Sequence, residues 1–403
     1  MIAVFEPCTL RGTVRAPSSK SLAHRYLIGA ALSGEVCTLS GIDFGEDILA
    51  TVDCLRALGA EVTVRGDAVT VDPRGFMEAE APVLDCRESG STLRFLLPLA
   101  LCLGRPVTLR GSGRLPERPL SVYEDLCREQ GFVFRKEADR VEVCGDLKSG
   151  TYVIRGDISS QFITGMLFAL VWRGGEGSLR ILPPFESRSY AELTVSALRA
   201  FGADVAFTDP CTVRIGPSRL RGWSGRIEGD WSNGAFLDAF NMLGSQIQVE
   251  GLAPDSLQGD RICGAYFQKL SEGTPTLDIS DCPDLGPVLF ALAALKNGAV
   301  FTGTERLKFK ESDRGRAMDE ELRKLGGGLI FGNGAVMVPK QALRYGGIPL
   351  SGHNDHRIVM ALSVILSVTG GELHGAEAVA KSYPRFFEDL LSLGAKLGIE
   401  DGY

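Results

Sequence analysis

Four segments of this 403-residue chain place hydroxyl, amide or acidic side chains directly before an apolar stretch. They read PSSKSLAHR from position 17, RESGSTLR from 87, GDISSQF from 156 and NDHR from 354. A helix that begins there exposes backbone N–H groups and the positive end of its dipole, both of which favour a bound anion. Ser or Asp at such a position also caps helices in general, but a Lys or Arg follows the cap in three of these four segments. The pattern predicts anion-binding helix starts with these candidates: Lys20, Ser21, Arg25, Gly90, Arg94, Ser159, Ser160, Gln161, His356 and Arg357.

Charged loops form a second set of candidates. A solvated surface is the ordinary place for a string such as ERLKFKESDRGR, but each of these loops occupies the same position in a repeated unit. Arg suits planar, bidentate capture of carboxylate and phosphate, and Lys acts as a compact point charge. The loops therefore indicate a ligand with several negative charges, and their candidates are Arg118, Ser187, Tyr190, Lys310, Glu311, Arg314 and Lys381.

The positioning elements come from a unit that recurs six times, at a spacing of about 70 residues except for one shorter gap. In each unit a polar loop opens an apolar helix, a strand follows, and a second helix ends in Gly before another strand. ATVDCLRALGAEVTV from position 50 shows this second helix. The pattern predicts an α/β (α+β) fold whose apolar first helices are buried inside a layer of sheets.

Three units per domain is the natural division. We expect domain I to comprise 1–18 and 228–403, and domain II to comprise 19–227, with the seam near EGDWSNGAF and a strand supplied to domain I by the chain before Ser18. Since both domains carry candidate cations, we expect the active site in the cleft between them and closure of the domains on binding.

The composition excludes several other classes of protein. A formal net charge of −7 argues against a general nucleic-acid or membrane-surface binder, which usually carries a basic excess. The 10 Cys lack C-x-x-C or zinc-finger spacing. No signal-peptide pattern opens the chain, and no apolar run is long enough to span a bilayer. We therefore expect a cytoplasmic protein.

Beyond the residue types, ten ordered strings resemble the family of 3-phosphoshikimate 1-carboxyvinyltransferases, enolpyruvyl transferases also called 5-enolpyruvylshikimate-3-phosphate synthases. The strings are PSSKSLAHR, SGSTLRF, LPERPL, GDISSQF, ESRSY, EGDWSNGAF, CPDLGP, KESDR, NDHR and AKSYPRFFEDL. The resemblance implies two inside-out α/β barrels of three βαβαββ units each. It also implies transfer of the enolpyruvyl group of phosphoenolpyruvate to the 5-hydroxyl of shikimate 3-phosphate, on the route to chorismate and the aromatic amino acids. A monomer with no metal and no organic cofactor is implied as well.

The resemblance also implies roles for individual residues. The shikimate 3-phosphate contacts it implies are Lys20, Ser21, Arg25, Ser159, Ser160, Gln161, Ser187, Tyr190, Asp284 and Lys310. The phosphoenolpyruvate contacts it implies are Lys20, Gly90, Arg118, Gln161, Arg314, Arg357 and Lys381, with Arg94 and His356 in support. Two positions depart from the common pattern. Glu88 stands where many members have Asn, and Arg306 stands where some members have Asn. A carboxylate at position 88 would repel a phosphate unless it were paired or turned away, and either change can alter affinity for the inhibitor glyphosate.

The reaction needs an acid near the methylene carbon, a base near the attacking hydroxyl and cations around the phosphate. Our hypothesis assigns the methylene proton to Glu311, the hydroxyl proton to Asp284 and the departing phosphate to Lys20. The plainer interpretations are that Asp284 caps the fifth apolar helix and that Glu311 only pairs with Arg314.

Three alternatives remain open at this point. A sister enzyme that uses UDP-N-acetylglucosamine typically has a Cys in the loop matching GSGRLPERP, and this chain has none between Cys102 and Cys127. A catalytically inactive anion-binding protein fits poorly with the retained Lys20, Asp284, Glu311 and Lys381. An RNA-end-processing enzyme on a related repeat fold would call for a basic surface.

Overall fold

The computed structural model describes residues 1–400, in which helices and short strands alternate along the chain. The residues fall into two compact units. Unit 1 consists of Met1–Pro17 and the chain from Gly229 onward, and unit 2 is Ser18–Glu228. Within residues 1–400, no helix combines the length and apolar character needed to traverse a bilayer.

The six predicted apolar helices are all present, and they are the most deeply buried elements of each unit. In unit 2 they are α1 (Lys20–Leu32), α3 (Gly90–Ala100) and α5 (Ser160–Arg173), and in unit 1 they are α7 (Trp231–Asn241), α9 (Gly286–Leu295) and α11 (His356–Thr369). α9 shows the reason most clearly, because all nine residues from Gly286 to Ala294 are buried and a helix that is apolar all round must lie inside. The prediction of buried first helices is confirmed.

The six second helices carry one apolar face each. They are α2 (Glu46–Ala57), α4 (Ser121–Gln130), α6 (Arg188–Ala200), α8 (Cys263–Glu272), α10 (Arg314–Lys324) and α12 (Phe386–Ser392). The Gly that follows has a positive φ after five of them, as a C-terminal cap requires. After α8 the prediction is wrong, since Gly273 has a φ of 173°, an extended conformation that any residue adopts.

The strands within residues 1–400 form six sheets, of which five have the same four-stranded pattern: one parallel pair followed by two antiparallel pairings. In unit 2 the strands are β3 (Cys37–Ser40), β4 (Glu61–Arg65), β5 (Ala68–Asp72), β6 (Val83–Asp85), β7 (Val107–Arg110), β8 (Val133–Lys136), β9 (Arg140–Cys144), β10 (Thr151–Arg155), β11 (Gly177–Leu182), β12 (Val205–Asp209), β13 (Thr212–Ile215) and β14 (Gly225–Arg226). Their orders are β14-β3-β5-β4, β6-β7-β9-β8 and β10-β11-β13-β12. The recurring order confirms the repeat predicted from the sequence.

Unit 1 has two sheets of this pattern and one sheet of only two strands, and two of its strands come from the start of the chain. Its strands are β1 (Ile2–Phe5), β2 (Arg11–Arg15), β15 (Gln246–Glu250), β16 (Thr276–Asp278), β17 (Ala299–Thr302), β18 (Ile330–Phe331), β19 (Ala335–Val338), β20 (Leu350–Ser351), β21 (Gly371–His374) and β22 (Leu397–Glu400). β1 lies between β21 and β22 and is antiparallel to both, and β2 pairs in parallel with β15. The first and last strands of the described chain therefore belong to one sheet.

Each unit has its own hydrophobic core, built from the buried helices and the inner faces of the strands. In unit 1 the ring of Phe290 in α9 is fully buried and meets the ring of Phe301 in β17, with centroids 5.0 Å apart at a steep angle of 63°. Such pairs join helix to sheet and fix where the helix lies.

We expect Phe290→Ala to lower the free energy of unfolding by about 3–5 kcal/mol, because it removes a fully buried ring and leaves a cavity. Denaturant unfolding followed by circular dichroism measures the loss. The matched control is Phe331→Ala, whose side chain is half exposed in the same unit and should change stability by at most about 0.5 kcal/mol. Similar losses in both variants would show that the buried helix does not define this core.

Candidate active site

The candidate residues of unit 2 surround three helix starts. Ser19, Ser89 and Ser159 cap α1, α3 and α5, and each side chain accepts a hydrogen bond from a backbone N–H two or three residues later. The serines are therefore ordinary caps, and the interpretation as anion sites must depend on the side chains beside them.

Arg25 lies on α1 and is 2% exposed. Its Nε donates to Thr194 Oγ1 at 2.8 Å, and its Nη2 donates to Thr164 Oγ1 at 3.2 Å. Backbone carbonyls accept from the remaining groups, with Nη1 donating to Ser21 O at 2.6 Å and Nη2 to Tyr190 O at 2.9 Å. Burial lowers the pKa of Arg25 to about 10, which leaves it charged at neutral pH. Since all these acceptors are neutral, the guanidinium keeps a positive charge that an anion can use.

Lys20, at the first position of α1, forms an ion pair with Asp47. The two atoms Nζ and Oδ2 are 2.9 Å apart, and both side chains are largely buried. Asp47 lies in the first turn of α2, 27 residues further along the chain. The carboxylate thus holds the ammonium group beside the start of α1.

Gln161 connects the second and third helix starts of unit 2. Its Oε1 accepts from Arg94 Nη1 at 2.6 Å, and its Nε2 donates to Ser91 Oγ at 2.9 Å. Arg94 is 2% exposed and also donates to Pro119 O at 3.1 Å. These contacts fix α3 and α5 at their N-terminal ends.

Arg118 lies against Gly90, so closely that a Cβ added at position 90 would be 2.5 Å from Arg118 Nη1. Glycine is therefore needed at the first position of α3 for the guanidinium to approach the helix start. The carboxyl group of Glu88 lies against Gly113, whose added Cβ would be 2.6 Å from Glu88 Cδ. This places the unusual carboxylate beside the loop that follows β7.

Ser187 and Tyr190 lie at the start of α6. Ser187 is buried with a φ of 52°, a left-handed conformation that is uncommon for a residue with a side chain. The centroid of the Tyr190 ring lies 6.0 Å from the Arg25 guanidinium carbon. The strained turn thus presents Tyr190 next to the buried Arg25.

In unit 1 the candidates centre on the carboxylate of Asp284. It accepts from Lys310 Nζ at 3.0 Å, Arg314 Nη1 at 2.7 Å and Arg357 Nη2 at 3.2 Å. Burial by itself raises the pKa of Asp284, but the charges of Arg357, Lys310 and Arg314 outweigh it and hold that pKa well below its usual value. Asp284 lies in the short 3-10 turn Pro283–Leu285 immediately before α9, which places its carboxylate beside the start of that helix.

Arg314, at the start of α10, is 1% exposed and has two further carboxylate partners. Its Nη2 donates to Glu311 Oε2 at 2.7 Å, and its Nε donates to Asp355 Oδ2 at 2.9 Å. Burial disfavours the charged guanidinium, but Asp355, Glu311 and Asp284 more than compensate and raise the pKa of Arg314. The ion pair expected for Glu311 is therefore present, and it fixes the carboxylate at the edge of the cluster.

Lys310 and Arg357 supply the remaining charge of this cluster. Burial lowers the pKa of Lys310 to about 8 in spite of Asp284. Arg357 is 3% exposed, and its Nε and Nη1 make no hydrogen bond within residues 1–400. Buried donors of this kind nearly always have a partner, so the Arg357 side chain is suited to an anionic ligand.

Lys381 and His356 complete the set in unit 1. Lys381 Nζ donates to the backbone carbonyl of Asn354 at 2.6 Å, which ties it to the segment just before α11. His356 is 1% exposed, and its Nδ1 lies 4.0 Å from Asp355 Oδ1. Both therefore lie around the capped start of α11.

In unit 1 the structure brings Asp284, Lys310, Glu311, Arg314 and Arg357 into one cluster. In unit 2 it places the candidates around three helix starts and the start of α6. Sequence reasoning missed the residues that hold these side chains in place: Asp47, Thr164, Thr194 and the carbonyl of Asn354. It also missed Ser312, whose hydroxyl donates to Asp355 Oδ2 at 3.0 Å. A polar residue on the buried face of a helix was the only signal for the two threonines. Asp47 gave no signal, because nothing in the sequence marks it as the partner of Lys20.

Comparison with known proteins places the chain in a family. Residues 5–390 match the family model of EPSP synthase (3-phosphoshikimate 1-carboxyvinyltransferase). A 3-phosphoshikimate 1-carboxyvinyltransferase of Clostridium kluyveri is 39% identical, over 98% of this chain and 97% of that protein. One from Clostridium perfringens is 35% identical, over 98% of each chain.

Solved structures share the fold. An EPSP synthase from Acinetobacter baumannii has a TM-score of 0.77 at 23% identity, covering 99% of each chain. The enolpyruvyl transferase NikO from Streptomyces tendae has a TM-score of 0.74 at 18% identity, covering 98% of each. The expected fold class is thereby confirmed.

We expect Asp284→Asn to lower the free energy of unfolding by about 3 kcal/mol, because it leaves two buried arginines and the partly buried Lys310 without their shared carboxylate. Added inorganic phosphate should then raise the melting temperature of the variant more than that of the wild type. Thermal unfolding with and without phosphate measures both effects. Asp281→Asn, at an exposed position three residues earlier, is the control, and equal phosphate responses in all three proteins would contradict the assignment of an anion site.

Proposed function

This chain belongs to the EPSP synthase (3-phosphoshikimate 1-carboxyvinyltransferase) family, and we propose which of its residues bind each substrate and which transfer protons. The reaction transfers the enolpyruvyl group of phosphoenolpyruvate to the 5-hydroxyl of shikimate 3-phosphate and releases phosphate. It is a step of the shikimate pathway, which supplies aromatic amino acid biosynthesis.

The observation that best supports this proposal is the buried cluster of unit 1. Asp284 lies among Lys310, Arg314 and Arg357, and Glu311 is a further partner of Arg314. Two carboxylates held next to several cations provide both proton-transfer groups and anion-binding groups. The unused donors of Arg357 give this cluster capacity for a further anion.

We assign phosphoenolpyruvate to the cations that approach helix starts most closely. Arg357 suits a carboxylate or phosphate because its guanidinium presents parallel donors. Gly90 and Arg118 suit the phosphate, since the glycine leaves the N-terminus of α3 open to the guanidinium. The full proposed set is Lys20, Gly90, Arg118, Gln161, Arg314, Arg357 and Lys381, with Arg94 and His356 in support.

Shikimate 3-phosphate is assigned to the serine-rich helix starts and to Arg25. The neutral acceptors around Arg25 leave its charge available for the 3-phosphate, and Tyr190 offers an aromatic face beside the ring. Lys310 and Asp284 of unit 1 would serve the same substrate, Asp284 by accepting a hydrogen bond from the 5-hydroxyl. The full proposed set is Lys20, Ser21, Arg25, Ser159, Ser160, Gln161, Ser187, Tyr190, Asp284 and Lys310.

The chemistry follows from these positions. Glu311 donates a proton to the methylene carbon of phosphoenolpyruvate while the 5-hydroxyl oxygen attacks the adjacent carbon and gives its proton to Asp284. The resulting tetrahedral adduct loses phosphate through cleavage of a C–O bond, with Lys20 stabilising the departing group. The phosphate takes up the proton that Asp284 accepted, which returns Asp284 to its carboxylate form. A methyl proton then returns to Glu311, which restores the carbon–carbon double bond. Asp284 becomes a better base when bound anions share its cations, because its pKa then rises.

We further propose that 1–18 with 228–403 and 19–227 act as two domains that contribute jointly to one pair of substrates. The chain is proposed to work as a monomer in the cytoplasm, without metal or organic cofactor. All ten cysteines are free thiols, which is consistent with a reducing compartment.

Phosphate release tests the function directly. The purified chain should release inorganic phosphate from phosphoenolpyruvate in the presence of shikimate 3-phosphate, and UDP-N-acetylglucosamine should not replace the acceptor. Release with the nucleotide sugar would favour the sister enzyme, and no release with either would favour an inactive anion-binding protein.

We expect Glu311→Gln to lower kcat by about 10²–10⁴-fold, since it removes the group that transfers the methylene proton. The KM values should change little by comparison. Steady-state phosphate release measures both constants. Glu305→Gln removes an exposed carboxylate from the same loop and should leave kcat unchanged. Parallel losses in turnover and binding would show that Glu311 serves only as the partner of Arg314.

We expect the KM for shikimate 3-phosphate to rise by about tenfold between pH 7 and pH 9, because a lysine with a pKa of about 8 loses its charge across this range. The protonated form binds the anion, so binding is strongest below pH 8 and weakens above it. Lys310→Arg keeps a charge that does not titrate there. The variant should therefore show a flat profile, and a profile identical to that of the wild type would assign the titration to another group.

A further inference from the structure

Glu321 is a buried carboxylate in α10, about two turns after Arg314 and 1% exposed. Both of its oxygens are fully engaged. Oε1 accepts from Lys324 Nζ at 3.0 Å and meets His353 Nε2 at 2.7 Å. Oε2 accepts from Lys324 Nζ at 2.8 Å and from the backbone N–H of Ser351 at 2.8 Å. One buried group thus connects α10 with the segment that precedes α11.

That segment has an unusual backbone. His353 and Asn354 have φ values of 49° and 51°, so two consecutive residues with side chains adopt the left-handed conformation. This conformation is unfavourable for such residues and persists only where the surroundings impose it. The contacts of Glu321 with His353 and Ser351 lie on either side of Gly352 and supply that restraint.

The residues that follow belong to the proposed active site. The carbonyl of Asn354 accepts the hydrogen bond of Lys381 Nζ at 2.6 Å. Asp355 caps α11, and its Oδ2 accepts a hydrogen bond from Arg314 Nε at 2.9 Å. If the backbone at 353–354 relaxed, the Asn354 carbonyl would turn and Lys381 would lose this hydrogen bond.

We infer that Glu321 and His353 are positioning residues, which hold Asn354 so that Lys381 is placed for the anion of phosphoenolpyruvate. The inference rests on the role of Lys381 given under the proposed function. Neither side chain touches substrate. Both act through the backbone of 351–354.

A metal ion is a poorer occupant of this place, although Glu320, Glu321 and His353 could offer ligand atoms close together. The Lys324 ammonium contacts both oxygens of Glu321 and already supplies the positive charge there. A divalent cation would have to displace it.

The test compares Glu321→Gln with Glu320→Gln, which changes an exposed carboxylate at the preceding position. Glu320 Oε2 lies 3.9 Å from His353 Nε2, beyond hydrogen-bonding distance. The amide nitrogen that Glu321→Gln introduces would face donors, so the contact with Ser351 or with Lys324 must break. We expect the KM for phosphoenolpyruvate to rise by about tenfold, with kcat and the KM for shikimate 3-phosphate within about twofold of wild type. Glu320→Gln should behave as the wild type does.

A second variant tests the contact between His353 and Glu321 separately from the preference of residue 353 for the left-handed conformation. His353→Asn keeps a residue that tolerates the left-handed conformation, but its side chain is too short to reach Glu321. It should reproduce the effect of Glu321→Gln, and the double variant should add no further loss. In a Lys381→Ala background, Glu321→Gln should leave the KM for phosphoenolpyruvate unchanged.

A lower melting temperature with unaltered KM values would overturn the inference, since Glu321 would then be a stability residue alone. So would a rise in both KM values together. If the wild type releases no phosphate from its two substrates, the proposed function fails. The wild type and Glu321→Gln are then compared by thermal unfolding with and without inorganic phosphate. Phosphate should stabilise the wild type more than the variant, and equal stabilisation would overturn the inference.

Discussion

Arg314 is the buried charge on which the cluster of unit 1 depends. It cannot lose its proton at any ordinary pH, and it is 1% exposed. A charge in that position is tolerable only with close counter-charges, and the chain supplies Asp284, Glu311 and Asp355 from three separate loops. The three loops must therefore meet at one point, which fixes the ends of α9, α10 and α11 relative to one another. The groups proposed for proton transfer are held in place by the same contacts.

In unit 2 a buried arginine is accommodated in a different way. Arg25 is as deeply buried as Arg314, but its hydrogen-bond acceptors are hydroxyl and carbonyl oxygens. Neutral acceptors satisfy the geometry of the guanidinium without cancelling its charge, and burial lowers the pKa of Arg25 in spite of the opposing effect of Tyr190. Arg314 thus organises its surroundings, and Arg25 keeps a positive potential for a ligand.

The repeated unit explains how such sites arise in a chain with a net negative charge. Each of the six repeats contains a buried first helix whose N-terminus lies at a polar loop, and charged loops recur between the first and second helices of the repeats. Five sheets share one strand order, so the same positions recur in space as well as in sequence. Cations placed at those positions become concentrated locally although acidic residues outnumber basic ones in the whole chain.

Much of this was determined by the sequence alone. The apolar stretches had to become buried helices because no polar face existed to expose, as in α9. Capping residues marked where α1, α3, α5 and α11 begin. The ordered strings identified the family, and with it the reaction. These features depend on neighbours within a few residues or on motifs, which a sequence displays directly.

Only the tertiary structure decided which side chains became partners. Lys20 pairs with Asp47 rather than remaining open, Arg25 reaches Thr164 and Thr194, and Glu321 meets His353. The fold brings these residues together from 27 to 169 positions apart, so no local pattern records the contact. The pKa values of Asp284 and Lys310 likewise follow from burial and from charges on other loops. Electrostatic interactions depend on distance through space, and the sequence specifies that distance only after the chain has folded.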